Sequence, residues 1–225
     1  MKFTKKLTVM VLCGIMADSS MTYVRGSAEN ILELNSCSSE YQAVSAANNL
    51  STKKLADYSI WKQSTDVSCW AVAISSMDAY VNKRETPLTE EQMNKKMTDA
   101  GGDGSNGATI NEALAVMKEI FPSENYTVSK APSMTDANIL SNIKKGSPIY
   151  LHTTRVNDKN KTVAHAVVII GYTYNNDTKK VTDIYYANPA NGEISSTAYN
   201  GTKTKITSGN YTYTWSSAIT VKPKK

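Results

Sequence analysis

The sequence is poor in the residues that build metal cages and disulfide scaffolds: its 225 residues contain two His and three Cys. Without Cys-x-x-Cys or His-x-x-x-His spacing, zinc would have too few ligands, so neither a metal nor a cofactor is expected. Three thiols in a chain of this length also exclude a small disulfide-stapled domain. Long apolar runs are lacking too: the N-terminal run Leu7–Ala17 falls well short of the roughly 20 residues of a membrane-spanning helix, so no stable membrane anchor is expected. Charge of one sign is scarce. The formal net charge is +5, and Lys2, Lys5, Lys6 and Arg25 against Asp18 place much of it in the first 28 residues. The remaining Lys residues are scattered among Asp and Glu, with no basic stripe to neutralise phosphates, so nucleic acid is not an expected partner. What is left is an ordinary globular composition, 40% apolar and 20% charged.

The basic stretch Met1–Lys6 followed by Leu7–Ala17 has the layout of a secretory signal peptide. Cleavage could follow Ala17 or, with Gly26 and Ala28 supplying small residues, Ala28; the second is favoured, so residues 1–28 are read as the signal and the mature protein is expected to be secreted. Cleavage removes Cys13. Cys37 lies in a polar Ser-rich segment and Cys69 opens an apolar periodic one; whether these two pair in an oxidising compartment is left open. Residues 29–55 have weak periodicity and few large apolar groups, and are read as a leader, a short propeptide or an N-terminal arm. Residues 56–225 are read as the folded domain.

From Cys69 to about Asn82, apolar residues at 70, 73, 74, 77, 80 and 81 trace one helix face, with Thr65, Asp66 and Ser68 as candidate caps. Capping-box patterns at Thr89-x-x-Gln92 and Thr109-x-x-Glu112 start two further helices, which stop before Gly101 and at Pro122. A fourth helix runs from about Thr135 to Lys145. After Pro148 the sequence is rich in Val, Ile, Thr and Tyr, in six segments at 149–154, 162–174, 180–188, 194–199, 203–207 and 211–221. Val167–Ile170 is apolar throughout, which predicts a strand buried on both faces. Helices precede strands, so the fold class is α+β, with a helical N-terminal half and an antiparallel sheet in the C-terminal half.

The chemistry concentrates at Cys69. A thiol at a helix N-terminus meets unsatisfied N–H groups and the positive end of the dipole, which favour thiolate. His165, just after the polar hairpin 157–161, is a candidate general base. Asn188, at the end of the next strand, could orient the imidazole if the strands pair through Asn175–Asp177. Gln63, six residues before Cys69, could bring an amide beside the Cys69 N–H and complete an oxyanion hole. His152 is the competing base, yet it lacks a comparable segment and is read as structural. Gly101–Gly107 reads as a flexible loop.

Gln63-Ser64-Thr65-Asp66-Val67-Ser68-Cys69-Trp70, then Ala164-His165-Ala166-Val167-Val168-Ile169-Ile170-Gly171-Tyr172, then Tyr185-Tyr186-Ala187-Asn188-Pro189 resemble, in order, the active-site segments of papain-like cysteine peptidases, and most nearly the bacterial C39-like and related papain-fold peptidases. The resemblance implies a papain-like fold with its cleft between the two halves. It implies Cys69 as nucleophile, His165 as base and then acid, Asn188 as the orienting group and Gln63 as oxyanion donor. A protein or peptide substrate follows, with hydrolysis through an acyl-enzyme. The plant-type signature is matched only as Ser68-Cys69-Trp70, with Asp66 and Val67 where its first Cys and its Gly would stand, so its usual structural disulfide is missing. Two other functions stay open at this level: acyl transfer or isopeptide hydrolysis by the same residues, and a non-catalytic secreted binding protein on the same scaffold. Oligomeric state is not legible.

Overall fold

A computed structural model of the chain describes residues 49–104 and 107–224. The expected signal peptide and cleavage site, Cys13, Cys37 and most of the segment read as a leader lie outside the described residues. Among the described residues the helices are α1 (Cys69–Val81), α2 (Glu90–Asp99), α3 (Ile110–Ile120) and α4 (Asp136–Lys144). The strands are β1 (Leu50–Lys54), β2 (Tyr126–Ala131), β3 (Ile149–Val156), β4 (Thr162–Asn175), β5 (Lys180–Asn188), β6 (Glu193–Ala198), β7 (Lys205–Ser208) and β8 (Tyr211–Pro223). They form one antiparallel sheet in the order β2-β8-β3-β4-β5-β6, with β1 added to β4 and β7 to β8.

The helix starts follow from local chemistry. Thr89 accepts from the Gln92 N–H at 3.2 Å while Gln92 Oε1 accepts from the Thr89 N–H at 2.9 Å. Thr109 and Glu112 repeat the arrangement at 3.3 and 2.8 Å. Each reciprocal pair satisfies two donors that a helix end otherwise leaves orphaned, worth about 1 kcal/mol. Thr135 caps α4 by accepting from the Asn138 N–H at 3.2 Å.

The start of α1 differs. Ser68 is its N-cap residue but makes no side-chain cap. Its hydroxyl turns back instead, donating to the Thr65 carbonyl at 3.0 Å. The Ser68 side chain therefore does not cap the first N–H groups of α1, at the position of Cys69. The helix is also more deeply placed than one apolar face implies, since every residue from Cys69 to Asp78 is buried. Small residues make this possible: Ala71 and Ala73 pack closely, and Ser75 and Ser76 satisfy their hydroxyls on the Leu88 carbonyl (2.6 Å) and the Ala73 carbonyl (2.8 Å). The one buried carboxylate in α1, Asp78, is met by Arg84 at 2.6 Å and Asn82 at 2.6 Å. Trp70, Ile74 and Met77 bury their side chains completely or nearly so, each contributing roughly 1.5–3 kcal/mol.

In the sheet, β4 is the central long strand, and Val167–Ile170 is buried on both faces. It pairs with β3 over 162–169 and, past the start of β3, with β1 over 171–175. That crossing is tight: a Cβ on Gly171 would stand 2.7 Å from the Lys53 carbonyl oxygen. The sequence starts the domain at residue 56, whereas the compact unit of the structure includes residues from Asn49 onward, with β1 an exposed edge strand. On the other side β4 pairs with β5 through the Asn175 turn, whose side chain accepts from the Asp177 and Thr178 N–H groups, both at 2.9 Å. Since β5 ends at Asn188 and its pairing reaches only Val168, residues 162–166 of β4 have no strand on that side. Cys69 approaches in that opening.

Candidate active site

Three chain segments meet at the N-terminus of α1. The first carries Gln63. Its backbone N–H donates to the Pro189 carbonyl at 2.8 Å, and the next residue, Ser64, donates to Glu90 through its backbone (2.8 Å) and its hydroxyl (2.5 Å). Burial opposes ionisation of Glu90, but the Ser64 hydrogen bonds outweigh it and hold the carboxyl below its ordinary value. The turn after Asn188 completes the clamp: Gly192, at φ +75°, would bring a Cβ to 2.9 Å from the Lys62 nitrogen, so only glycine lets the two backbones pack. The Gln63 side chain donates through Nε2 to the Thr65 carbonyl at 2.7 Å, while its Oε1 is buried without a partner.

The second segment is α1 itself. Cys69 is a free, buried thiol at the first helical position. Burial pushes its pKa above the ordinary value, and hydrogen bonds from the backbone N–H groups of Ala166, Trp70 and Cys69 itself offset that only in part. The dipole argument from sequence is thus outweighed by desolvation, which the sequence does not display. The Ala166 contact locates the sulfur, since Ala166 follows His165 on the open side of β4.

The third segment is the sheet. His165 is 5% exposed, and its Nε2 lies 2.8 Å from Asn188 Oδ1. An amide oxygen only accepts, so Nε2 carries the proton and Nδ1 keeps its lone pair. Asn188 Oδ1 also accepts from the Ala190 N–H at 3.1 Å, which holds the amide in place. Burial pushes the His165 pKa down, partly opposed by the Asn188 hydrogen bond. The ring of Tyr213 covers the imidazole at 5.2 Å between centroids. Thr153, paired opposite His165 on β3, donates to the His165 carbonyl at 2.8 Å.

The structure thus joins His165 to Asn188 directly, sets Cys69 against the residue beside His165, and ties the Gln63 segment to the Asn188–Pro189 turn. No hydrogen bond links the Cys69 sulfur to the His165 ring. His152 pairs with Ala166 across the strands, so its side chain projects to the face opposite His165; its burial is coupled to two unpartnered ring nitrogens. The glycine loop borders the site: a Cβ on Gly107 would lie 3.7 Å from the Val67 carbonyl and one on Gly104 3.6 Å from the Trp70 ring. Tyr213 and the Ala166 N–H were not readable as site groups from sequence, because each arrives through strand register and not through a local motif. Among the described residues there is no group of three or more His, Cys, Asp or Glu able to hold a metal, and no helix long and apolar enough to cross a membrane.

Residues 52–205 match the profile of the peptidase C70 family, described as papain-like cysteine protease AvrRpt2. The chain belongs to this papain-like cysteine protease family. The protease also superposes on the crystal structure of a Bacillus anthracis protein assigned as a C39-like peptidase, with a TM-score of 0.50 at 13% identity, over 78% of this chain and 99% of that one. At that identity the likeness speaks for the fold: helices first, then an antiparallel sheet, as the sequence order predicts. No curated protein matches the chain. As a papain-like protease it is a cysteine-type peptidase acting on protein substrates.

Proposed function

We propose that this cysteine peptidase works through a Cys69–His165–Asn188 triad, forms an acyl-enzyme on Cys69, and is secreted. The observation that carries the triad is the 2.8 Å His165 Nε2–Asn188 Oδ1 hydrogen bond, with the Cys69 sulfur on the N–H of the next residue along β4. His165 Nδ1, its lone pair free, takes the thiol proton as sulfur attacks the scissile carbonyl. Negative charge developing on the carbonyl oxygen is met by the uncapped N–H of Cys69 and by the Gln63 amide, once that amide turns from Thr65. The imidazolium gives its proton to the leaving nitrogen, the C–N bond breaks and a thioester remains. Water, deprotonated by His165, attacks the thioester; the acid departs and the thiol is restored.

Burial raises the thiol and lowers the imidazole, which favours the neutral form of each, so proton transfer accompanies attack. Cys69→Ala is expected to abolish peptide hydrolysis and iodoacetamide labelling at this position. In the unaltered protein, labelling is expected to keep rising with pH beyond the thiol's ordinary value of 9.0. Hydrolysis that survives the substitution refutes the assignment. The support for secretion is the basic-then-apolar N-terminus, and N-terminal sequencing of protein from culture medium tests it: a start at Met1 counts against it.

A further inference from the structure

Beside His165 stands a cation that no carboxylate of the described residues pairs with. Thr153 pairs with His165 and Arg155 with Val163, so Arg155, two residues along β3, projects from the same face as the imidazole, roughly 7 Å further along the strand. Its guanidinium lies 3.9 Å from the centroid of the Tyr211 ring and 5.5 Å from that of Tyr213. Tyr213 in turn covers His165 at 5.2 Å. Aromatic faces hold a guanidinium in position without consuming its hydrogen-bonding fork. Arg155 forms no salt bridge with a carboxylate of the described residues, and its Nε is buried without a partner. Tyr211 is 53% exposed, so the outer side of the stack is open to a ligand.

The position relative to the chemistry decides what that ligand is. In the mechanism proposed above, on which this inference rests, His165 must reach the leaving nitrogen, whereas the acyl half stays with Cys69 and the Gln63 segment. Groups stacked on the imidazole therefore flank the leaving half of the substrate. We propose that Arg155, held by Tyr211 and Tyr213, is a specificity residue that binds a carboxylate on the leaving-group side of the scissile bond. That carboxylate is either an Asp or Glu side chain or the free C-terminus of a short leaving segment. A planar fork over apolar rings suits a bidentate carboxylate and disfavours Lys or Arg at the same place.

The test is cleavage-site mapping on a peptide library derived from a proteome digest, followed by steady-state kinetics on matched peptides. In one arm Asp or Glu within the first three leaving positions is exchanged for Asn or Gln; in the other the free C-terminus is exchanged for its amide. Cleavage is expected to favour the carboxylate by about tenfold in kcat/KM in one arm, a preference of roughly 1.4 kcal/mol. Arg155→Gln should bring that ratio to near unity, Arg155→Lys should restore part of it, and Arg155→Glu should turn it toward Lys and Arg. A flat profile from the unaltered protein, or an Arg155→Gln variant that slows charged and neutral peptides equally, overturns the subsite and leaves the peptidase mechanism standing. Absence of any Cys69-dependent cleavage overturns both.

Discussion

Replacing Asn188 by Ala removes the acceptor that sets the tautomer and orientation of His165. The imidazole is 5% exposed, so little water can replace the 2.8 Å hydrogen bond, and the Nε2–H is left without a partner. Leaving a buried donor unsatisfied costs roughly 1–3 kcal/mol. If that cost falls on the reactive orientation of the ring, the rate drops about 5- to 150-fold, at about 1.4 kcal/mol per factor of ten. Asn188 is buried at 3% exposure and faces the histidine, so the loss should appear in kcat with little change in KM. The pH profile gives a second readout. The Asn188 hydrogen bond raises the His165 pKa against the stronger lowering by burial, so Asn188→Ala should move the acid limb of kcat/KM to still lower pH. Asn188→Asp keeps the acceptor and adds a negative charge, so it should move that limb the opposite way. Stopped-flow or fluorogenic peptide kinetics across pH 4–9, on variants whose folding is checked by circular dichroism, measures both. Unchanged kcat in Asn188→Ala, or limbs that move in the same direction in both variants, refutes the reasoning.

Two other outcomes follow from the packing. Gly171→Ala should push β1 off β4, because the new Cβ would face the Lys53 carbonyl oxygen at 2.7 Å and the Lys54 Cα at 3.0 Å; a loss of about 1–3 kcal/mol in urea denaturation is expected, and an unchanged midpoint speaks against the close crossing. His152 and His165 are both held below their ordinary value of 6.5 by burial, so the unfolded chain binds the more protons near and below that pH. Their contribution to stability is full above about pH 6.5 and is lost as pH falls toward the folded values. His152→Phe should therefore narrow the difference in Tm between pH 7.5 and pH 5.5, and a variant with the same difference as the parent would count against the burial argument.

The elements that could be read from sequence are those whose signal is local. The capping boxes at Thr89 and Thr109 give helix starts to the residue, since donor and acceptor lie within four positions of each other. The strand segments 180–188 and 162–174 match β5 and β4 to within one residue, as β-branched runs bounded by Asn and Lys turns. Two strands were not legible. β1 is exposed at every position and shows no alternation, and β2 is a short polar segment whose partner is the far C-terminal strand β8. β1 has no apolar face of its own, and β2 offers only Tyr126 and Val128 on one side, too short an alternation to mark a strand until the sheet they join makes them strands. The single-face reading of α1 failed for a related reason: its serines satisfy themselves on local carbonyls and Tyr58, which lets the whole first ten residues be buried.

By itself the sequence determined the order of helices before strands, the helix caps, and the identities of Cys69, His165, Asn188 and Gln63 as the residues worth testing, because motif chemistry and hydrogen bonds between near neighbours are written in consecutive positions. Only the tertiary structure decided where those groups meet and in what state. Strand register puts Asn188 on His165 and leaves the Ala166 N–H open to sulfur. Burial, a property of the assembled layers, raises the thiol and lowers the imidazole against the trend a helix N-terminus alone would set. The Tyr211–Arg155–Tyr213 stack likewise exists only because β3 and β8 pair, since nothing along the chain connects a guanidinium to rings more than fifty residues away.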